Sequence, residues 1–487
     1  MKRFLLVVPL LALCLCSCED FLIPSSSSTE DNQATEETRL SRQYANLFAY
    51  GVMHSYYLWE KEVADRMKSW TFEDDPVQKV KDVRYEADHW TQMVEDYNAF
   101  VGSVSGNTRS MGFDFVLYYA DSKKKDIVMV VTFTYADSPA SQAGLKRGDA
   151  IKSLNGKTLT IDNYASVIME TVYGGGTVQL KMTDGRDVSL TAVEMYEDPV
   201  NAALILGEYG GKKVGYLHYA SFTLDSCLDL ENVFRGFKAN GVQELVLDLR
   251  YNGGGYVIAG QVLASMIAPA AAVEAGSIFN RDEYNSILTE AWGESTTPFV
   301  SELTFSNQGK QQTVHPGEVN LDLSRVWVIT SGNTASASES LICGLKPYMD
   351  VVVVGDRTAG KFCGGFIIDA KSWYESAREN DKEQQIDYEE ALGNCGSWGI
   401  YVMVSRYADC NGVTLSMPDG IAPDITITDD PADGFALGSP QETILATVLS
   451  RMSGASLPSK AAPGLAPAPS LLPAPWRPER PGRILPR

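Results

Sequence analysis

Three uninterrupted apolar runs frame the C-terminal half of the chain: Leu245 to Leu247, Val326 to Ile329 and Val351 to Val354. Runs this short, bounded by turn formers, predict strands buried on both faces. Between the second and third, Ser331-Gly332-Asn333 reads as a turn. Ala335 to Lys346 then carries small or helix-forming residues, with Leu341, Ile342 and Leu345 covering one face and Pro347 ending the helix. The result is a strand–helix–strand unit, and such crossovers lay their strands parallel. The first run repeats the plan, leading through DLRYNGGGY (Asp248 to Tyr256) into a helix from Val257 to Ile267. Loops leaving the C-terminal ends of parallel strands share one sheet edge, where open α/β sheets keep their sites. Ser336, at the start of one helix, and Lys361, in the loop after the third run, are therefore predicted to share that edge. Val214 to Leu217 reads as a further strand and Leu228 to Phe237 as an amphipathic helix.

Upstream the pattern changes twice. Residues 39–105 place aromatic and apolar residues at helical spacing (Tyr44, Leu47, Phe48, Met53, Tyr57), break at Asp74-Asp75-Pro76, and resume with Val80, Val83, Trp90, Met93 and Tyr97. A small N-terminal helical domain is predicted, with no chemistry of its own. From about residue 106 to 198 short β-branched strands replace helices, the clearest running from Ile127 to Phe133, with a turn at Gly174-Gly175-Gly176. Residues 270–320 and 370–395 lack strong periodicity and read as insertions or lids within a core of residues 199–450. Gly420 to Asp424 leads into a final strand. Residues 451–487 are crowded with proline and have lost the acidic bias, predicting a disordered tail or a sequence artefact.

Composition narrows the function classes. The chain has 487 residues, 44% hydrophobic, enough for several domains with real cores. A formal charge of −21 argues against nucleic acid or an anionic membrane surface as partner. Lys2-Arg3, the apolar run Phe4 to Leu15 and Leu15-Cys16-Ser17-Cys18 resemble a bacterial lipoprotein signal, which implies acylation of Cys18 and an exported, membrane-anchored protein, periplasmic or at the cell surface. Residues 19–38, rich in Ser, Glu and Asp, read as a flexible tether. Five cysteines remain after the signal (Cys227, Cys343, Cys363, Cys395, Cys410), an odd number without zinc-like spacing. With four histidines in all, no metal and no cofactor are expected.

The candidate chemistry is acyl transfer. A hydroxyl nucleophile needs a base within reach and donors facing the oxyanion that forms. Ser336 sits where first-turn N–H groups are available; the N–H of Ala337 is one candidate donor, and Gly254 or Gly255 could bring a second close. Lys361 acts as a base only when neutral, whereas a free lysine titrates at about 10.4. Gly360, Phe362, Gly364 and Phe366 would line an apolar pocket around it. Alone, the pair reads more readily as a helix cap and a solvated lysine than as a dyad. His218, in the strand Val214 to Tyr219, could be argued as an alternative base but reads better as a strand residue held by neighbours. Asp248 and Arg250 read as anchors of the glycine loop.

Two resemblances give these residues roles. Ser138-Pro139-Ala140, Ala143-Gly144-Leu145 and Gly148-Asp149 look like a bacterial PDZ domain, in which Met111-Gly112-Phe113-Asp114-Phe115 would match the peptide-binding, carboxylate-holding stretch. TASASE (Thr334 to Glu339), DLRYNGGG and GDRTAGK resemble the C-terminal processing, or tail-specific, serine peptidases. That resemblance implies a multi-domain α/β protein: a crotonase-like (ClpP-like) core joined to a β-rich PDZ domain, using a Ser-Lys dyad. It implies Ser336 as nucleophile and Lys361, twenty-five residues on, as base, with Ser338 turned toward helix packing. It also implies polypeptide substrates, C-terminal tails or unfolded segments, that the PDZ gates or delivers; oligomeric state is left open. Many members carry a Gln four residues after the lysine. Here that position is Gly365, so either another group holds Lys361 or the enzyme is weak, regulated or dead. The alternative is a catalytically silent peptide-binding lipoprotein on the same scaffold.

Overall fold

The computed structural model describes residues 30–120, 123–381, 386–413 and 419–454, together with the two-residue strand Arg483–Ile484. The predicted strand–helix–strand units form one six-stranded sheet. Lys212–Tyr219, Glu244–Asp248, Arg325–Thr330, Asp350–Gly355 and Ile425–Thr426 run parallel in that order, and Val200–Tyr209 adds an antiparallel edge. Both faces are covered, which explains the unbroken apolar runs. On one face the helices Ser226–Ala239, Val257–Ile267 and Ala337–Leu345 pack over Leu245, Leu247, Val326, Val328 and Val353. On the other, the helix Thr443–Met452 covers Val246, Trp327 and Val354.

A second sheet faces the site, and here the structure corrects the sequence reading. Residues 270–320, 370–381 and 386–395, expected as insertions or lids, form strands and helices of the core. Ile278–Tyr284, Ser295–Pro298, Cys363–Asp369 and Gly399–Ala408 pair antiparallel, and the helices Ala370–Asn380 and Tyr388–Cys395 pack beside them. Periodicity failed there because short strands and helices of two or three turns alternate faster than a periodicity window can register. The N-terminal segment is likewise no separate domain. Its helix begins at Glu30, inside the expected tether. The stripe Tyr44, Ala45, Phe48, Ala49, Val52 and Met53 is buried against Trp373, Tyr374 and Ile400 to Val404. Trp90 lies outside any helix, just before the short strand Gln92–Val94, which pairs with Gly399–Tyr401. Helical spacing over residues 83–97 was coincidental. Signal, Cys18 and residues 19–29 lie outside the described residues, as do 455–482 and 485–487 of the tail. Among the described residues no helix is long and apolar enough to cross a membrane.

The β-rich region folds as its pattern predicts. Phe113–Tyr119, Ile127–Thr134, Ala150–Leu154, Thr177–Met182 and Asp187–Thr191 form an antiparallel sheet with Phe113–Tyr119 at its edge. Two short helices, Pro139–Gln142 and Tyr164–Thr171, pack on it.

Buried charges join this sheet to the parallel core. Arg147 Nη2 donates to Asp429 Oδ1 at 2.7 Å and Arg147 Nη1 to the Tyr251 hydroxyl at 2.7 Å. Arg250 donates to the same Asp429 oxygen, to Glu442 Oε1 and to Asp248 Oδ2, each at 2.7 Å. Burial alone would raise the Asp429 carboxyl; Arg250 and Arg147 overcome it and hold the group below the ordinary carboxylate range. Removing one member of a buried ionic group strands the others, at about 3 kcal/mol. Arg147→Met should therefore lower the unfolding free energy by about that amount, read from denaturant midpoints at constant slope. An unchanged midpoint would show that Arg250 alone satisfies Asp429.

His218 sits beside this network, packed edge-on against Phe133 and Tyr251, with Nδ1 3.2 Å from Asn201 Oδ1. Burial pushes its imidazole down from 6.5 to about 4; Asp248 opposes the shift and Arg250 adds to it. Between pH 4 and 6.5 the unfolded chain thus binds a proton that the folded chain refuses, so stability rises with pH across that window. The contribution is complete above pH 6.5 and amounts to about 3 kcal/mol lost on acidification to pH 4. Unfolding measured from pH 4 to 7 should show this slope in the natural protein and a shallower one in His218→Gln; equal slopes would refute it.

Candidate active site

The strand Arg325–Thr330 delivers the chain into a tight turn. The N–H of Ser331 donates to Thr334 Oγ1 at 2.9 Å, and that hydroxyl donates to the Leu249 carbonyl at 2.8 Å. Ser336 follows with φ +59° and ψ −108°, a left-handed backbone that a serine adopts at a cost of about 1–3 kcal/mol. The helix Ala337–Leu345 begins at the next residue, so the side chain stands at the helix N-terminus. The glycine loop is stitched to this turn. The N–H of Ala335 donates to the Asn252 carbonyl at 3.0 Å and the Ser338 hydroxyl to the same oxygen at 3.1 Å. Ser338, expected to turn toward helix packing, is thus bound to the glycine loop.

Both predicted glycines are required by close approach. A Cβ on Gly254 (φ +107°) would lie 3.0 Å from Ala335 O, Ala337 N and Ser336 Cβ alike. A Cβ on Gly255 (φ +140°) would lie 2.1 Å from Phe222 O. The Gly254 N–H donates to Asn252 Oδ1 at 2.8 Å, so its contribution in this structure is proximity to Ser336.

Lys361 is 2% exposed. It precedes the strand Cys363–Asp369, and its Nζ lies over two rings: Trp90 at 4.8 Å from the centroid and Tyr401 at 5.2 Å. Its neighbours in sequence Phe362, Cys363 and Phe366 are buried, and the rings over the amine come from segments that sequence reasoning did not assign to the site. Cys363 Sγ meets Met403 Sδ at 3.3 Å, a packing contact.

One carboxylate joins the two halves. Glu339 Oε2 accepts from the N–H of Ser336 at 2.8 Å and from the N–H of Lys361 at 2.9 Å. Its Oε1 accepts from the Gly360 N–H at 2.8 Å and from the Thr358 hydroxyl at 2.5 Å. The backbones of the serine and the lysine are therefore closer than two hydrogen-bond lengths laid end to end. Burial pushes the Glu339 carboxyl up, while Thr358 and the N–H groups of Ser336, Gly360 and Lys361 oppose it. Sequence reasoning gave Glu339 no role. The signal was present: Ser-x-x-Glu at a helix start is a capping box, whose glutamate reaches back to the cap residue's N–H.

Other predicted site residues lie elsewhere. Asp248 and Arg250 anchor the strand end beneath the glycine loop, Arg250 donating its N–H to Asp248 Oδ1 at 3.1 Å. Met111, Phe113 and Phe115 bury their side chains in the core of the antiparallel sheet. The Gly112 carbonyl accepts from Tyr135 N–H at 2.9 Å and Ser138 Oγ at 3.0 Å, and Asp114 accepts from the Thr132 hydroxyl at 3.1 Å. Cys18 lies outside the described residues. Among those residues, no group of three His, Cys, Asp or Glu side chains is placed to hold a metal.

Comparison with known proteins agrees with this architecture. Residues 213–427 match the model of peptidase family S41. A CtpA-like serine protease of Staphylococcus aureus is 26% identical over 313 residues, 64% of this chain and 55% of the relative. That of Staphylococcus haemolyticus is 24% identical over 315 residues, again 64% and 55%. The chain thus spans about half the length of the curated relatives it matches. Among solved structures, an S41 protease from Bacteroides fragilis shares the fold at a TM-score of 0.62 and 22% identity, covering 89% of this chain and 99% of that one. Residues 213–427, which hold the serine turn, the glycine loop and the buried lysine, are thus the part of this chain that is similar to peptidase family S41.

Proposed function

We propose that this protein is an exported, lipid-anchored serine endopeptidase that cleaves polypeptides through Ser336 and Lys361. The observation that carries the reading is Glu339, one carboxylate that accepts the backbone N–H of both reacting residues. Such a tie fixes nucleophile and base relative to each other before substrate arrives. The amine of Lys361 takes the Ser336 proton as Oγ attacks the scissile carbonyl, and returns it to the leaving amine. The N–H groups of Ala337 and Gly255 face the oxyanion, and water then hydrolyses the acyl-enzyme. A peptide is held as an added strand. The short strand Arg483–Ile484 supports this, since it pairs parallel with Gly364–Gly365, three residues beyond the lysine.

The antiparallel sheet acts as a PDZ domain that delivers C-terminal tails or unfolded segments. Its edge strand Phe113–Tyr119, beside the Met111–Gly112 loop, is where such a tail would add. The buried Arg147–Asp429–Arg250 group connects that domain with the strand end that carries the glycine loop. Acyl chains on Cys18 would hold the enzyme at the membrane after export.

Two experiments bear on this reading. Protein lacking residues 1–18 should cleave casein or a tailed peptide, form one covalent adduct on Ser336 with a fluorophosphonate, and lose at least about 1000-fold in kcat in both Ser336→Ala and Lys361→Ala. Absence of cleavage and adduct in every form would favour a silent peptide-binding lipoprotein. Glu339→Gln keeps size but turns an N–H group toward one pair of donors; kcat should fall by about 10- to 100-fold with KM little changed. Wild-type kcat in that variant would mean that the tie does not organise the site.

A further inference from the structure

We infer that Trp90 and Tyr401 are positioning residues for the proposed base, their ring faces holding the Lys361 amine where a glutamine four residues on would otherwise hold it. The inference rests on the Ser336–Lys361 reading above and concerns how that dyad works in this chain.

Three observations converge. The first is contact: Nζ of Lys361 lies 4.8 Å from the Trp90 centroid and 5.2 Å from the Tyr401 centroid, both within the range at which a ring face attracts an ammonium group. The second is the shape of the missing side chain. A Cβ placed on Gly365 would lie 2.7 Å from Tyr401 Cε2, 2.6 Å from Met403 Cε and 2.6 Å from Val402 O. The Val402 carbonyl, the Met403 side chain and the Tyr401 ring together leave no room for a side chain at position 365.

The third is that both rings are mounted on backbone that is held together, Tyr401 on one strand and Trp90 in the turn that leads into its pairing partner. Tyr401 is fully buried within Gly399–Ala408 and is the register partner of Gln92. Trp90 sits two residues before Gln92 in a turn tied by the buried Asp88. Asp88 Oδ1 accepts the N–H groups of Trp90 at 2.8 Å and Thr91 at 3.0 Å, and Oδ2 accepts the Tyr57 hydroxyl at 2.8 Å. Thr91 Oγ1 in turn accepts the Met403 N–H at 3.1 Å. A tryptophan needed only to fill space does not require a turn held at this many points.

The chemistry suits the geometry. When Ser336 attacks, its O–H bond breaks, a C–O bond to the substrate carbonyl forms, and the proton bonds to the amine of Lys361, which becomes ammonium. The negative faces of the two rings favour that charged product over the neutral amine. Starting from the neutral amine that the base must be, they therefore stabilise the transition state more than the ground state, which acts on kcat rather than on binding.

The test uses protein lacking residues 1–18, with Lys361→Ala as reference, and reads kcat, KM and the rate of fluorophosphonate labelling. Trp90→Leu should lower kcat and labelling about tenfold with KM within about twofold, while Trp90→Phe, which restores a ring, should retain most of the activity. Tyr401→Leu against Tyr401→Phe should repeat the pattern, and carries the test should Trp90→Leu fail to fold. Wild-type kcat in both leucine variants, or equal losses in the phenylalanine and leucine variants, overturns the assignment while an inactive Lys361→Ala leaves the dyad standing. Full activity in Lys361→Ala overturns the dyad and the aromatic assignment together.

Discussion

A carboxylate closed off from water, with four donors aimed at it, is the constraint on which this site depends. Leaving an ionised carboxyl in a protein interior costs several kcal/mol unless its oxygens are satisfied. Glu339 is satisfied by the backbones of Ser336, Gly360 and Lys361 and by the Thr358 hydroxyl. The dependence runs both ways. The serine turn cannot shift without losing a partner for the carboxylate, and neither can the lysine loop. The left-handed backbone of Ser336 persists under the same constraint, since its N–H must point into the helix start where Glu339 waits. Thr358 extends the tie outward: its backbone and side chain exchange hydrogen bonds with Ile421, which anchors the lysine loop to the last segment of the core.

Around this centre two layers of different origin meet. The parallel sheet contributes the serine, the glycines and Glu339. The second sheet contributes the lysine strand and, across from it, Gly399–Ala408, onto which the N-terminal segment docks through Gln92–Val94 and the buried stripe of its long helix. The N-terminal segment is therefore part of the lysine's environment rather than an appendage. The antiparallel sheet reaches the other side of the site by way of Arg147. Two of its partners, Asp429 and Tyr251, lie next to or within the chain that becomes the glycine loop. A network of this kind yields little net stability per charge but fixes geometry, because each member has one arrangement that satisfies it.

Much of this was legible along the chain, and the reasons it was or was not are physical. Leu245 to Leu247, Val326 to Ile329 and Val351 to Val354 announced themselves because strands covered on both faces leave no room for polar residues. Parallel pairing then placed Ser336 and Lys361 at one edge without any distance being known. Trp90 was illegible for the opposite reason. Its importance comes from pairing with a strand about three hundred residues away, and nothing local distinguishes it from Val83 or Met93, with which it happens to share a helical interval. The second sheet failed in the same way: its strands alternate with short helices, and its partners are far apart in sequence. Glu339 is the instructive case. Its capping role could be read from four consecutive letters, yet its reach to Gly360 and Lys361 belongs to the tertiary fold.

The departure at Gly365 bears on how a lysine can serve as a base at all. A neutral amine has one lone pair, and that lone pair must face the serine hydroxyl. A carboxamide beside it can accept an N–H from the amine, but it also carries two donors of its own that can compete for the lone pair. Ring faces cannot compete, because they offer negative potential and no acidic hydrogen. Rings give up direction in exchange, since their attraction varies slowly with angle. Confinement must supply what direction does not, and here Trp90 and Tyr401 line the amine while the Tyr401 ring, the Met403 side chain and the Val402 carbonyl close off position 365. The glycine fits that confinement: any side chain at 365 would meet the Val402 carbonyl, the Met403 side chain and the Tyr401 ring at once.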